Sequence, residues 1–545
     1  MTFAWTVSPA LGAAGVLCGF TTHHGVFIRG EWHVHAPWIV LSHLWIFTCL
    51  ILADRFVMGS SPLLLAAPYG VVLISCSYLT GLFLSIVVYR AFHHRLTKAG
   101  FPGPWYARVT KLWHVWACRD SKNHVVLHKL HEQYGDFVRT GPSELTVYRP
   151  EILMAIDGPH SECIKTDWYD LLLPNFALVT AREKGGVHAA RRRQWNRAFS
   201  SQALQDYLQR ILCHLEDLYV NIAADAESGR VSNARDLFYW YSFDAMGDFA
   251  LGKPFGMQKS QEWHIIIVRL QRAFALADPY WVPLGPRVLQ LKDWFDMVFW
   301  CQTQMKSRIE DKSRHEGRDI THYIMMQDEE SEEVINDALR WLSGDSLQTI
   351  VAGSGPIANA LVGLFTEVGR NPKVLEHLYQ EVKDVDVADA KALASLTFLN
   401  ACIEETLRLY PALMTGGSRM TTHGGLAVCG RWIPPYTNIV APQYLISRRD
   451  DCFVQPYKFV PERWTTAPEM VLNALAARPF GTGHTSCVGR PLAMDALRLA
   501  VAGITKKYKF RLAPGEDGRG MDRDLKDQFV PNPGGLRLCF EMRHS

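Results

Sequence analysis

The chain predicts a mainly α-helical fold with small β-sheets, preceded by an N-terminal transmembrane helical anchor. Three observations carry this. Charge vanishes near the N-terminus, where residues 1–28, 32–53 and 56–89 contain no Asp, Glu, Lys or Arg. Residues 201–250 alternate apolar and polar types at helical spacing, and 335–370 carry a long apolar helical pattern. Strand-like runs are short by contrast: 425–440 around Pro434-Pro435, then Tyr508–Leu512 and Gly535–Phe540.

The uncharged stretches give two to three spans. Their apolar cores are Trp5–Phe20, Trp38–Ala53 and Pro68–Tyr89, the last long enough to cross a bilayer. A signal peptide is the alternative for the first, but no basic n-region precedes it and nothing marks a cleavage site. Arg90, Arg95 and Lys98 follow the third span, which predicts a cytosolic location for the rest of the chain. Three spans would put the N-terminus in the lumen. Phe101-Pro-Gly-Pro-Trp105 then reads as a linker stiffened by its prolines. Downstream, Leu127–Asp136 reads as a helix, and Phe137–Val147 as strand, turn and strand.

With 545 residues there is room for one large domain beyond the anchor. The 57 basic and 54 acidic side chains leave a net charge of +3, which gives no argument for nucleic acid as a partner. None of the 12 cysteines forms a Cys-x-x-Cys pair, so zinc and thioredoxin-like chemistry lack support. Their scatter fits a reducing compartment.

The most informative stretch is Phe480-Gly-Thr-Gly-His-Thr-Ser-Cys487-Val-Gly489. It sets Cys487 in a glycine-rich loop before a helix predicted over Arg490–Val501. A thiolate there lies under backbone N–H groups and near a positive helix end, so its pKa is expected to fall. Gly483 and Gly489 let the backbone approach something flat, and Phe480 can pack on it. The alternative is a cysteine serving as a small buried hydrophobe.

This loop resembles the haem-binding signature of the cytochrome P450 family, Phe-x-x-Gly-x-Arg-x-Cys-x-Gly. Three further segments are similar to that family's and stand in the same order. Glu405-Thr-Leu-Arg408, followed by Leu409-Tyr410-Pro411, resembles its Glu-x-x-Arg helix; the i, i+3 spacing puts both side chains on one face. Pro461-Glu-Arg463-Trp464 resembles its Pro-Glu-Arg-Phe segment. His188-Ala-Ala-Arg-Arg192 resembles its Trp/His-x-x-x-Arg segment.

The resemblance, which runs from about Phe101 to the C-terminus, implies the P450 fold. It also implies an anchor over 1–89, a basic, proline-rich hinge over 90–104 and a haem-thiolate monooxygenase domain over 105–545. Cys487 would ligate the haem iron, and thiolate ligation favours O–O cleavage. Phe480, Gly483 and Gly489 would shape the haem contact. Glu405, Arg408 and Arg463 would lock the cysteine loop. His188, Arg192 and Arg419 would meet the haem propionates, where two cations suit two carboxylates. Arg191, Arg193 and Arg197 would remain free for a partner. The aromatic-rich stretch 255–300 (Trp263, Phe274, Tyr280, Trp281, Trp294, Phe299, Trp300) would roof the substrate pocket, or else simply pack the core.

The implied activity inserts one oxygen atom from O2 into an apolar small molecule, as in fungal secondary-metabolite pathways. The implied partners are an NADPH–cytochrome P450 reductase, with cytochrome b5 as a second donor. The implied place is the endoplasmic reticulum membrane, multi-pass, with the catalytic domain cytosolic.

Two segments depart from the pattern. Over the haem the family carries Ala/Gly-Gly-x-Asp/Glu-Thr-Thr/Ser, whereas this chain has Ala352-Gly353-Ser354-Gly355-Pro356-Ile357. Gly355 replaces the acid and Pro356 the alcohol, so neither offers a side chain for moving protons. Pro356 also lacks an N–H for the carbonyl of Ala352, which should kink the helix and free that carbonyl. Ser354, a water or a substrate hydroxyl would then relay protons. The rival readings are a reductase-independent isomerase or dehydratase, and a non-catalytic haem-binding membrane protein. The second departure is Thr485, which stands at the signature's arginine. His484 is its neighbour.

Overall fold

The long apolar pattern forms one helix, Glu332–Arg370, with Pro356 inside it. This computed structural model describes residues 9–30, 32, 35–58, 69–172, 175–182, 186–277, 288–310, 318–325, 332–528 and 530–543. The chain divides into two compact units. One comprises Met1–Lys111 with Arg139–Ser143, the other Leu112–Val138 with Glu144–Ser545.

In the first unit the uncharged stretches form helices Pro9–Thr22, Ala36–Met58 and Tyr69–Val88. Trp5 and Pro68, at the edges of the expected spans, lie outside the described residues. The first helix packs parallel to the third along a seam of glycines. A Cβ added at Gly15 would come 2.7 Å from the Ile74 carbonyl, Gly19 lies against Tyr78 and Leu82, and Gly81 lies against Val16. Close approach through small residues is how helices pack in lipid, where no hydrophobic force drives them together. Gly70–Lys98 is long and apolar enough to cross a membrane, with mean hydropathy 2.3. Trp38, Trp45, Phe56 and Phe83 are exposed. The proline-rich linker is folded into the same unit, since the Arg139 N–H donates to the Pro102 carbonyl at 2.7 Å and the Arg139 guanidinium to Thr97 Oγ1 at 2.6 Å.

The second unit is mainly helical. Residues 201–250 form Ser201–Glu227 and Ala234–Leu251, with Ser200 and Asn233 as side-chain N-caps. The helix expected from Leu127 begins at Asn123 and ends at Tyr134, where Gly135 takes φ 83. The helix after the cysteine loop runs from Arg490 to Lys507, beyond the expected Val501, because Val501–Ile504 remain core residues.

Its largest sheet places Glu144–Val147 parallel to Asn438–Val440, which pairs antiparallel with Arg419–Met420; that strand pairs antiparallel with Ile164–Lys165. The expected C-terminal strands pair as Tyr508–Leu512 with Arg537–Met542. Leu426–Val428 and Arg431–Ile433 form a hairpin whose turn residues, Cys429 and Gly430, both have positive φ. A second hairpin, Lys526–Gln528 with Val530–Asn532, has too few apolar residues to be read from the sequence.

The central helix joins these layers. Phe365 packs on Phe238 at 4.9 Å and on Phe510 at 5.0 Å between ring centroids, tying helix Ala234–Leu251 to the C-terminal sheet. Each such buried ring contributes roughly 1.5–3 kcal/mol from lost apolar surface. Of the aromatic stretch, Trp294 is core, Trp300 stacks on Phe255 at 5.6 Å, and Phe295 and Phe299 are exposed. Tyr280, Trp281 and the side chain of Phe274 lie outside the described residues.

Candidate active site

The cysteine loop is closed by its own backbone. The Cys487 N–H donates to the Phe480 carbonyl at 2.8 Å, and the Ser486 N–H to the Gly483 carbonyl at 3.2 Å. Gly481 and Gly483 have φ of 66 and 62, which favours glycine, and a Cβ at Gly483 would overlap the Asp157 carbonyl. Gly489 packs beside Phe199, and the Arg490 guanidinium lies 5.5 Å over the Phe480 ring. The Cys487 thiol is crowded by protein on most sides yet opens onto accessible space. Its pKa does not fall as expected. Burial pushes it up, and the Gly489 N–H, the Arg192 charge, the Arg490 N–H and the Arg490 charge offset only part of that.

Glu405, Arg408 and Arg463 come together, all essentially inaccessible. Arg408 grips Glu405 with Nε at 2.9 Å and Nη2 at 2.8 Å, and Arg463 Nε donates to it at 2.9 Å. Trp464 Nε1 at 2.9 Å and the Val460 N–H at 3.0 Å complete the carboxylate's partners. The remaining guanidinium donors hold the carbonyls of Ser447, Val454, Gln455, Pro456 and Lys458. Among the described residues no bond from this trio reaches 480–489. It fixes the irregular segment 447–470, which feeds into the loop.

A cationic cluster borders the loop. Arg192 Nη1 donates to the Ser486 carbonyl at 2.6 Å. Arg419 Nε donates to Asp157 Oδ1 at 2.7 Å and its Nη1 to Tyr169 Oη at 3.0 Å. Burial opposes the Arg419 charge, but Tyr169 and Asp157 outweigh it and hold its pKa above the usual range. Thr485 Oγ1 donates to the same Asp157 oxygen at 2.8 Å, so the threonine at the signature's arginine position caps a carboxylate.

His188 is buried, with its ring 5.9 Å from that of His484. It was expected as a cation. Burial, then Lys165, His484 and Arg192, lower its pKa to about 4, so it is neutral at pH 7. Lys165 completes the cluster and went unnoticed in the sequence, where a lone lysine carries no signal. Arg191, expected to be free, is buried and ion-paired with Asp345, its Nε donating at 2.8 Å and its Nη2 lying 2.7 Å from the same oxygen. Arg193 and Arg197 are exposed.

On the central helix Gln348, Ala352 and Pro356 recur at four-residue spacing and keep accessible surface, while Leu347, Ser354, Gly355 and Ile357 are buried. This open face lies on an otherwise buried stretch of helix. Gly353 packs on Met246, with no room for a Cβ. Ser354 donates its hydroxyl to the Ile350 carbonyl at 2.6 Å, and its own carbonyl accepts from Ser242 at 2.7 Å. A Cβ at Gly355 would come 2.6 Å from Val530 Cγ1 of the unpredicted hairpin.

An open thiol with two backbone N–H groups directed at it, a set of cations exceeding its carboxylates, and an accessible face on the central helix form one class of site. Such a site suits a flat anionic cofactor ligated by sulfur. The family model for cytochrome P450 matches residues 102–540. The cytochrome P450 monooxygenase FCK2 of Fusarium pseudograminearum is 33% identical, over 98% of this chain and 98% of that one. Tryprostatin B 6-hydroxylase of Aspergillus fumigatus is 31% identical, over 98% and 96%. Among solved structures, a retinoic acid bound cyanobacterial CYP120A1 shares the fold at a TM-score of 0.64 and 18% identity, covering 76% of this chain and 94% of that one. The chain belongs to the cytochrome P450 family. It is a haem-thiolate monooxygenase of the fungal secondary-metabolism kind, and it works on small molecules with a redox partner.

Removing the Glu405 charge strands two buried guanidinium groups. Glu405→Gln is expected to cost about 3–5 kcal/mol, read as a lowered urea midpoint with an unchanged slope. A loss below about 1 kcal/mol, the range of exposed pairs, would show that the trio is not structurally required.

Proposed function

We propose that Cys487 is the sole thiolate ligand of the haem iron and that the enzyme oxidises an apolar metabolite on the Gln348–Ala352–Pro356 face. The observation that carries this is the self-closed loop, which turns the Cys487 thiol to accessible space beside a cluster of cations. Bound there, haem supplies the activation of O2, and thiolate ligation favours O–O cleavage. Phe480, Gly483 and Gly489 shape the loop against the cofactor, and Arg192 pins it through the Ser486 carbonyl. Arg192, Arg419 and His188 lie where the cofactor's carboxylates need partners. Glu405, Arg408 and Arg463 hold the approach to the loop. Electrons arrive from an NADPH–cytochrome P450 reductase, with cytochrome b5 as a second donor, and exposed Arg193 and Arg197 suit an acidic docking surface.

We further propose that residues 1–89 anchor the enzyme as two to three spans in the endoplasmic reticulum membrane. In this reading 90–104 is the hinge, and 105–545 is the catalytic domain in the cytosol. The glycine seam supports the first helix as a retained span rather than a leader.

Proton supply in Ala352–Pro356 differs from the family's pattern. The Ser354 hydroxyl is already spent on Ile350, so water or a hydroxyl on the substrate is the better-supported relay. The Ala352 carbonyl, denied a Pro356 N–H, would be an acceptor for either.

Three outcomes follow. Reduced enzyme with carbon monoxide is expected to show the red-shifted Soret band of thiolate-ligated haem, and Cys487→Ala to lose it while Cys452→Ala keeps it. An unchanged band in Cys487→Ala overturns the ligand assignment. Deleting residues 1–89 should release a haem-binding domain from membranes in fractionation; a folded product unable to bind haem would place the spans inside the catalytic core.

The third outcome concerns coupling. A substrate lacking a nearby hydroxyl should give poor coupling, with NADPH consumed and hydrogen peroxide released in excess of product. Gly355→Asp with Pro356→Thr should raise the product-to-NADPH ratio only once Val530→Ala makes room. Full conversion without NADPH or reductase would favour an isomerase or dehydratase, and tight wild-type coupling with such a substrate would defeat the relay account.

A further inference from the structure

Asp527 is a carboxylate that the site described above does not use. It lies on the outgoing strand of the hairpin Lys526–Gln528 with Val530–Asn532, opposite Pro531. It is fully inaccessible, at 0% exposure, and among the described residues neither of its oxygens has a hydrogen-bond partner. Buried carboxylates are normally paired or hydrogen-bonded, because the charged form is costly in an apolar setting.

Among the described residues no cation lies within ion-pair distance of it. Lys122 directs its Nζ to the carbonyls of Leu525 at 2.6 Å and Arg523 at 2.8 Å. His124 is neutral at pH 7, since burial, then Lys122 and Arg448, lower its pKa to about 3. Arg448 lies 3.6 Å over the Tyr444 ring, and burial raises the pKa of that phenol. Helix Ile265–Ala277, which packs on the same strand, carries Arg269, engaged by Asp296 at 2.9 Å, and an exposed Arg272. The central helix has no charged residue between Asp345 and Glu367. Asp522, Arg523, Asp524 and Lys526, its neighbours in the chain, are exposed, and Arg235 beside the return strand pairs with Asp236 at 2.9 Å. Without a counter-charge, burial pushes the Asp527 pKa up to about 7.

The hairpin is pinned along both strands. The Asp527 N–H donates to the Ser121 carbonyl at 2.8 Å and Gln528 Nε2 to Ser121 Oγ at 3.3 Å. Arg235 holds the return strand through Asn532 Oδ1 at 2.8 Å and the Pro533 carbonyl at 3.2 Å. Strand alternation puts Asp527 and Val530 on opposite faces. Asp527 is enclosed behind the hairpin, while Val530 Cγ1 lies 2.6 Å from where a Cβ on Gly355 would go. Gly355 adjoins Pro356 of the open helix face, so how firmly the hairpin sits decides how far Val530 covers that face.

We propose that Asp527 is a proton lock on this hairpin: with its carboxyl protonated the hairpin stays seated and Val530 covers the central helix beside Pro356, and when the carboxyl ionises the hairpin loosens and the substrate face widens. The inference rests on the reading of the Gln348–Ala352–Pro356 face as the substrate side. A released carboxyl has the ordinary pKa of 3.8, and the seated one a pKa of about 7. Seating is therefore fully favoured below about pH 4, loses ground as pH rises, and is weakest above about pH 7.

The test uses the full-length holoenzyme in detergent and two readouts. One is hydrogen exchange over residues 524–532, corrected for the intrinsic chemical rate. Wild-type protection is expected to fall about tenfold between about pH 6 and about pH 8, the size of one linked proton over that range, and Asp527→Asn to stay flat. The other readout is binding of imidazole and of the bulkier 4-phenylimidazole at about pH 8, followed by the Soret shift of nitrogen-ligated haem. Asp527→Asn, with its hairpin seated, should discriminate against 4-phenylimidazole severalfold more than wild type.

Flat wild-type protection overturns the lock, because Asp527 would then be ionised and satisfied in place. A fall of equal size in Asp527→Asn assigns the titration to another group and also overturns it. A fall confined to wild type, with equal azole discrimination in the two proteins, overturns the widening of the substrate face. A wild-type enzyme whose Soret band does not respond to imidazole would instead defeat the reading of the haem and substrate side, while the exchange experiment still decides the lock. If Asp527→Asn does not fold, Asp527→Leu, also neutral and of similar size, takes its place with the same expected outcomes.

Discussion

The structure depends on one buried carboxylate. Glu405 accepts five N–H donors from two guanidinium groups, an indole and a backbone amide. Placing an anion and two cations out of water is expensive, and their mutual attraction offsets the cost only if nearly every donor and acceptor is matched. Here the spare guanidinium donors are matched by backbone carbonyls between Ser447 and Lys458, a stretch with little regular structure of its own. That stretch leads to the cysteine loop, which closes on itself through Cys487 and Phe480. Charge pairing therefore fixes the segment that leads into the loop, while Arg192, Asp157 and the loop's own backbone bonds hold the loop itself. This is why a short helix motif and a distant Pro-Glu-Arg segment carry so much information about a cysteine that neither touches.

Much of this is legible in the sequence alone. Motifs that encode a fixed local geometry survive as sequence: Glu405 and Arg408 one helical turn apart, the glycines around Cys487, and the uncharged helices near the N-terminus. What was not legible depends on tertiary neighbours. Arg191 looked like its exposed neighbours Arg193 and Arg197, yet helical rotation points it inward to Asp345. His188 carries a basic label, but burial beside Lys165 and Arg192 makes it neutral. Lys165 and Asp157 belong to no motif, and only the strand register of Lys165 against Arg419 shows that they matter. The Cys487 shift was misjudged for a similar reason. The helix end and amide groups were readable, but the extent of burial around the sulfur was not.

The departures on the central helix form a self-consistent set. Gly353 is pressed by Met246, and Gly355 is filled by Val530 from a hairpin with no strong sequence signature. The missing acid is thus not an empty position. The Val530 side chain of the hairpin lies where the Cβ of an acid would go, so an acid at 355 needs that side chain to shift. Pro356 fits the same pattern, since it withdraws an N–H from the Ala352 carbonyl on the accessible face. The helix still runs from Glu332 to Arg370, because packing on both sides outweighs one lost hydrogen bond. A local rule is broken where the chemistry would occur, with close packing around the break, which is where natural sequences tend to depart from ideal patterns.

Charge links these two regions. The cluster beside the loop holds more cations than carboxylates, and burial amplifies that excess because the interior screens poorly. His188 responds by remaining neutral, and the Lys165 pKa is lowered to about 7, mainly by burial and then by Arg419. An anionic ligand at the cluster reverses the sign of these pressures. It favours the charged lysine, whose donors also hold the Leu178 and Val179 carbonyls. Because the amides of those same two residues are held by Asp345 and Gln348, firmer anchoring at the cluster steadies the segment Asn175–Arg182 against the central helix one turn before Ala352. Leu178 and Val179 thus join the cationic cluster to the central helix, a physical route by which a change of charge at the cluster reaches the face that carries Gln348 and Ala352.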